Sequence, residues 1–242
     1  MKIAIISDIH GNLEALNAVL KKIEEEKPDK IVCLGDIVGY GANPNECCDI
    51  VKKLTDKIVM GNHDSAVCMK TPLDWFNPNA RTAIEWTMKK LTPDNFDFLS
   101  KLPLTLKYEN LLFVHASPNS PEEWKYILNA YDAYYELQVI KENVCFIGHS
   151  HVPVTFMLDE NLDIFMIDRE EFFIEGGKKY LINVGSVGQP RDFDPRASFG
   201  IYDTDKKHFR IIRVDYDIRL AQRKIIEADL PVILAERLLY GR

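Results

Sequence analysis

Short apolar runs that each end in a polar, mostly histidine-bearing motif set the strongest limit on how this chain can fold. Five of the six histidines lie in such motifs, beside well-placed Asp and Asn residues. In order, the motifs are Asp8-Ile9-His10, Gly35-Asp36, Gly61-Asn62-His63-Asp64, His115 after Leu111-Leu112-Phe113-Val114, and Gly148-His149-Ser150-His151. Each run reads as a β-strand, so its motif falls at the strand's carboxyl end, where open α/β sheets bind ligands. Histidine, carboxylate and amide oxygen together make a mixed N/O shell suited to divalent transition metals.

Spacing sharpens this reading. Asp8 and His10 are two residues apart, as are His149 and His151. On an extended segment such residues point to the same side, so each pair is expected to reach one ion. Asp36 can offer one oxygen to each of two ions, or it can close an Asx-turn. Asn62 can equally cap a helix, and His115 can equally be a satisfied core histidine. Read as structural residues, the motifs require five independent coincidences at strand ends that consume nearly every histidine. His208 lies beside the turn at Asp205–Lys207 without a partner motif and is assigned no role.

The first half alternates strand and helix, which argues for a largely parallel sheet flanked by helices. Strands are expected at Lys2–Ser7, Lys30–Leu34 and Lys57–Met60. A helix capped by Asn12 follows the first, another near Asn45–Leu54 follows the second, and two more follow the third, at Asn79–Lys90 and Pro93–Leu102. Leu104–Tyr108 and Leu111–Val114 form a tight hairpin, then come a helix near Tyr131–Lys141 and a strand at Val144–Ile147. Beyond His151 the pattern turns to hairpins: Val154–Leu158 with Asp163–Ile167, Glu171–Ile174 with Tyr180–Val184, and Ser198–Asp203 with His208–Val214. Two short helices broken by Pro231 close the chain. The expected fold is α/β, two sheets packed face to face with helices outside, as one domain over residues 1–242.

Composition narrows the partners. The net charge of -7 comes with no basic stripe, so no extended nucleic-acid surface is expected. Acidity does not exclude a phosphate substrate, because bound metal ions would themselves attract it. No apolar run approaches a membrane span, and the chain starts directly on a strand, so a cytoplasmic location is expected. Five cysteines cannot all pair and none has C-x-x-C spacing, which fits a reduced protein without a disulfide frame.

The order D-x-H, G-D, G-N-H-D, H, G-H-x-H resembles the calcineurin-like metallophosphoesterase superfamily across roughly Met1 to Gly200. The stretch Asn183–Asp192 is similar to the tail of its small bacterial and archaeal branch. The resemblance implies a four-layer α/β/β/α sandwich of two mixed sheets. It also implies two divalent ions per chain (Mn, Fe, Zn, Ni or Co), one held by Asp8, His10, Asp36 and His151, the other by Asp36, Asn62, His115 and His149. The implied reaction is hydrolysis of phosphodiesters or phosphomonoesters by a metal-bridging hydroxide. His63 is expected to protonate the leaving oxygen, with Asp64 orienting or charging its ring.

One departure bears on the substrate. Phosphoprotein phosphatases and dinucleoside polyphosphate hydrolases, the enzyme alternatives, carry an Arg soon after the bridging Asp, and here that position falls on Tyr40. Arg81, Arg191 and Arg196 are candidate substitutes, each also readable as a surface ion-pairing residue. Among the aromatics, Trp124 and Tyr126 are expected at the rim, where a nucleotide substrate could stack. The non-enzyme alternative is a metal-binding protein-interaction scaffold of the same fold, represented by a retromer subunit that has lost catalytic ligands. In this chain every ligand position is filled. Oligomeric state is left open.

Overall fold

Alternate side chains of the central strands enter different apolar clusters, and this alternation builds the layers. In the computed structural model, which describes residues 1–242, β1 (Lys2–Ile6) sends Ala4 and Ile6 outward and Ile3 and Ile5 inward. β4 (Leu111–Val114) directs Leu111 and Phe113 inward and Leu112 and Val114 outward, and β5 (Val144–Ile147) does the same with Val144/Phe146 and Cys145/Ile147. The inward residues of the two sheets meet in a shared core, where Phe113 and Phe146 stack at 5.4 Å. Burying each such ring contributes roughly 1.5–3 kcal/mol.

Both sheets are mixed. The first has the order β2 (Lys30–Cys33), β1, β10 (Ala197–Asp203), β11 (His208–Val214), β8 (Glu171–Phe173), and only β1 and β2 run parallel. The second has the order β3 (Thr105–Tyr108), β4, β5, β9 (Lys179–Asn183), β6 (Val154–Leu158), β7 (Ile164–Ile167), with β4, β5 and β9 parallel. The first sheet is covered by α1 (Leu13–Glu26), α2 (Pro44–Leu54) and α5 (Pro93–Ser100), through Leu16, Val51 and Leu99 among others. The second is covered by α6 (Ala130–Val139) through Ala133 and Leu137. The α/β/β/α layering is therefore present. Asn12 caps α1 as expected, accepting from Ala15 N at 3.1 Å.

Three local expectations are corrected. Lys57–Met60 is not a strand: Val59 N bonds Cys33 O in a single bridge, and Met60 N then turns to Pro103 O at 2.7 Å. The next residues form the helix α3 (Asn62–Val67), with Gly61 and not Asn62 at its N-cap, followed by α4 (Pro78–Lys90). Glu171–Ile174 and Tyr180–Val184 do not form a hairpin, because β8 joins β11 in one sheet while β9 joins β5 and β6 in the other. Period-2 patterning fixes which faces are buried, not which strand is the partner. The chain closes with α7 (Ile218–Glu227), α8 (Val232–Glu236) and a 3-10 turn at Arg237–Leu239, packed against Tyr40 and α4.

Candidate metal centre

β1 and β2 are parallel, and so are β4 and β5, so the segments after all four emerge at one end of the sandwich. There the backbone does not stay extended. Asp8, His10, Asp36, His149 and His151 all have left-handed φ values, between 49° and 67°. The same-side geometry expected of an extended D-x-H or H-x-H is thus not what brings these side chains together. Tight left-handed turns do so, each unfavourable by about 1–2 kcal/mol for a non-glycine residue. Hydrogen bonds between loops hold them: Asp8 N to Gly35 O at 3.0 Å, His10 N to Asp36 O at 2.8 Å, and Gly148 N to His115 O at 2.9 Å. Glycine is required at two close approaches, since a Cβ on Gly61 would strike Asp36 and one on Gly148 would strike Ser7 and Asp8.

The turns gather all seven candidate ligands, each buried. Donor atoms of Asp8, His10 and His151 lie within 4.8 Å of one another, as do those of Asp36, His115 and His149. Asp36 sits between the groups, its Oδ2 3.6 Å from His10 Nε2 and 3.3 Å from His115 Nε2. Asn62 Oδ1 faces His115 Nε2 at 3.2 Å. His63 falls in the same cluster, with His10 and Asp36.

Each of the four candidate histidine ligands is oriented by a main-chain carbonyl, which can only accept, so the ring nitrogen facing it must donate. His10 Nδ1 faces Val38 O at 3.1 Å, His151 Nδ1 faces Gln189 O at 2.6 Å and His115 Nδ1 faces Leu34 O at 2.8 Å. His149 uses Nε2 instead, toward Trp124 O at 2.9 Å, which leaves Nδ1 free. In their neutral forms His10, His151 and His149 therefore turn the lone pair of the opposite nitrogen into the cluster. His10 Nε2 and His151 Nε2 stand 3.0 Å apart, and Asp8 Oδ1, 3.1 Å from His151 Nε2, has no hydrogen-bond donor. An unsatisfied buried polar atom costs about 1–3 kcal/mol, more when charged. A donor set of this kind fits divalent cations.

Electrostatics agree. Burial opposes charge on Asp8 and Asp36, yet His151 and His115 around the first, and His115 and His63 around the second, hold both below the usual carboxylate range. Burial likewise opposes charge on His115, but Asp36 and Asp8 outweigh it and raise the ring to about 9. Its proton stands where a cation would. Burial lowers His10 and His151, and it takes His149 to about 3 with help from the His115 charge.

The orienting role expected of Asp64 is not seen. Its Oδ1 accepts from Ile37 N and Val38 N, and its Oδ2 accepts from Gly61 N at 3.1 Å. As the third residue of α3, it reaches back to the helix start and ties the Asp36 loop to it, which draws it away from the His63 ring. Burial and Asp36 raise its pKa to about 7. His63 N donates to Asp36 Oδ1 at 2.8 Å, and its ring lies 4.6 Å from Tyr40 and 5.2 Å from Phe76 with Nδ1 unpartnered. Burial, aided by Arg191, lowers that ring to about 4.

A cavity of about 180 Å³ opens over the cluster, lined by Asn62, His63, His149, Tyr40, Phe76 and Tyr126. Tyr126 is at the rim as expected, half exposed and stacked on His149 at 4.0 Å. Trp124 lines the same cavity but is buried, with Nε1 donating to Thr71 Oγ1 while its carbonyl holds His149. Of the three arginines, Arg81 and Arg196 are surface residues paired with Asp74, Glu85 and Asp194. Arg191 instead lies over the Tyr40 ring at 5.6 Å, donates to Gln189 Oε1 and pairs with no carboxylate, so the Asn183–Asp192 stretch brings a guanidinium beside position 40. Gln189 from that stretch, which orients His151, was not anticipated, because a carbonyl's role carries no side-chain signature.

Residues 1–207 match the calcineurin-like phosphoesterase superfamily domain. An uncharacterized protein of Methanocaldococcus jannaschii is 45% identical over 99% of this chain and 98% of its own length. The crystal structure of a metallophosphoesterase from Sphaerobacter thermophilus superposes with a TM-score of 0.88 at 41% identity, covering 100% of this chain and 99% of that one. The phosphodiesterase YfcE of Escherichia coli is 24% identical over 85% of this chain and 89% of its own length.

Proposed function

The chain belongs to the calcineurin-like phosphoesterase superfamily, and from that premise we propose that it hydrolyses small phosphate esters at a centre of two divalent metal ions. Asp8, His10, Asp36 and His151 would hold one ion, and Asp36, Asn62, His115 and His149 the other. The observation that carries this reading is the confrontation of the His10 and His151 lone pairs beside an unpartnered Asp8 oxygen. When bound, such a pair of ions acidifies water and neutralises phosphoryl charge.

The chain's own groups do the rest. Arg191, beside Tyr40 and free of carboxylate partners, is placed to draw the phosphoryl group over the cluster. Tyr126 and Phe76 form apolar walls that suit an aryl or nucleoside ester. His63 is the group positioned to give a proton to the departing oxygen. An incoming anionic ester adds negative charge beside the ring, which counters burial and favours its protonated form. Asp64 acts on the scaffold, fixing the loop that carries Asp36.

A protein-interaction scaffold is disfavoured, because an open cavity stands over a complete donor set. No helix is long and apolar enough to cross a membrane. The five cysteines are free and buried, which suits a reducing compartment such as the cytoplasm. The test is hydrolysis of bis-p-nitrophenyl phosphate by protein reconstituted with Mn²⁺, with and without chelator. Metal-dependent turnover supports the reading, and its absence in fully loaded protein overturns it.

A further inference from the structure

One buried hydroxyl stands behind two ligands of the same proposed ion, Asn62 and His149. Asn62 opens α3, and Ser65 lies one turn further along that helix. Ser65 Oγ is 2.7 Å from Thr71 Oγ1. The same Thr71 oxygen accepts from Trp124 Nε1 at 3.0 Å, and the Trp124 carbonyl faces His149 Nε2 at 2.9 Å. Ser65, Thr71, Trp124 and His149 are each more than nine-tenths buried.

Trp124 depends on this anchor. Its backbone is left-handed, with φ 52°, a conformation that an L side chain disfavours. Its own N–H reaches Pro121 O only at 3.4 Å, beyond the usual range of an amide hydrogen bond. The hydrophobic residues clustered with its ring, Met60 and Ala116, offer apolar contact. The indole N–H can only donate, and Thr71 Oγ1 is its acceptor. With the indole pinned, the Trp124 carbonyl holds His149 Nε2, and Nδ1 is the nitrogen turned into the cluster. His10 and His151 are oriented from elsewhere, by the carbonyls of Val38 and Gln189, with which Thr71 shares no hydrogen bond.

We infer that Thr71 is a positioning residue for the ion of Asn62, His115 and His149. Its hydroxyl braces the helix that carries Asn62 and, through the Trp124 indole and carbonyl, sets which ring nitrogen His149 presents. The inference rests on the two-ion reading of the cluster and goes beyond it, making occupancy of one site depend on a residue outside both ligand sets.

Losing a hydrogen-bond partner behind a metal ligand typically weakens metal binding about 10–100-fold. Calorimetric titration of Thr71→Val with Mn²⁺ should therefore show one ion bound as in the wild type and the other about 10–100-fold more weakly. Thr71→Ser, which keeps the hydroxyl, should restore both. Anomalous diffraction from Thr71→Val crystals at limiting Mn²⁺ identifies the weakened site, expected to be the one bounded by Asn62, His115 and His149. Trp124→Phe, which removes the indole donor, is the second variant and should weaken the same ion. Equal weakening of both ions, as a general loosening of the fold would give, overturns the inference. So does unchanged binding, weakening at the other site, or a Thr71→Ser protein that binds as poorly as Thr71→Val. If the wild type binds two ions and Thr71→Val binds them equally well, only the role of Thr71 falls. If the wild type binds no pair of ions at saturating Mn²⁺, the two-ion reading falls and the role of Thr71 falls with it.

Discussion

His10 and His151 meet ring nitrogen to ring nitrogen at 3.0 Å, and neither Nε2 can donate to the other because each Nδ1 hydrogen is committed to a carbonyl. Burial lowers the pKa of both rings, which favours their neutral forms. Two lone pairs are thus held face to face, a few ångströms from the Asp8 and Asp36 carboxylates, by a backbone bent into left-handed turns. A bound cation would relieve this repulsion.

Metal loading should therefore stabilise the protein. An ion at 100 times its dissociation constant contributes about 2.7 kcal/mol, which raises Tm by roughly 5–10 °C per ion for a domain of this size. Differential scanning calorimetry with Mn²⁺ and then with chelator checks this. An unchanged Tm would count against any metal role.

Loading should also release protons. His115 is held at about 9 by Asp36 and Asp8, so at pH 8 it is mostly protonated in metal-free protein, while ligation requires the neutral ring. About one proton per chain should leave His115, and metal affinity should climb as pH rises toward 9. Titrations in buffers of different ionisation enthalpy count the protons, and zero release would remove His115 from the ligand set.

Asp36→Asn should lower activity more than Asp8→Asn, by about tenfold or more, a difference near 1.4 kcal/mol. Asp36 reaches toward both groups of donors and also accepts from His63 N, whereas Asp8 belongs to one group. Kinetics at saturating metal decide the matter, and equal or reversed losses contradict the bridging position.

His63→Ala should keep both metals yet lose roughly 10²–10⁴-fold in turnover of an alkyl phosphate ester. A nitrophenyl ester, whose leaving group departs without a proton, should lose far less. Equal losses on the two esters, with metal content intact, would make His63 a positioning residue.

Much of this was legible in the sequence, for identifiable reasons. The layering follows from period-2 burial on strands such as β4 and β5, and the cluster's members follow from polar motifs ending apolar runs. The left-handed turns at Asp8 and His149 were not legible, since bonds to loops distant in sequence impose them. The bonds of Asp64 to the Asp36 loop and the burial of Trp124 against Thr71 were not legible either, because partners distant in sequence impose both.

Anomalous diffraction from crystals of the Mn²⁺-loaded protein tests the central claim most directly. The account predicts two manganese peaks per chain that share Asp36, one bounded by Asp8, His10 and His151 and the other by Asn62, His115 and His149. A single peak, or none within this cluster at saturating metal, would contradict it.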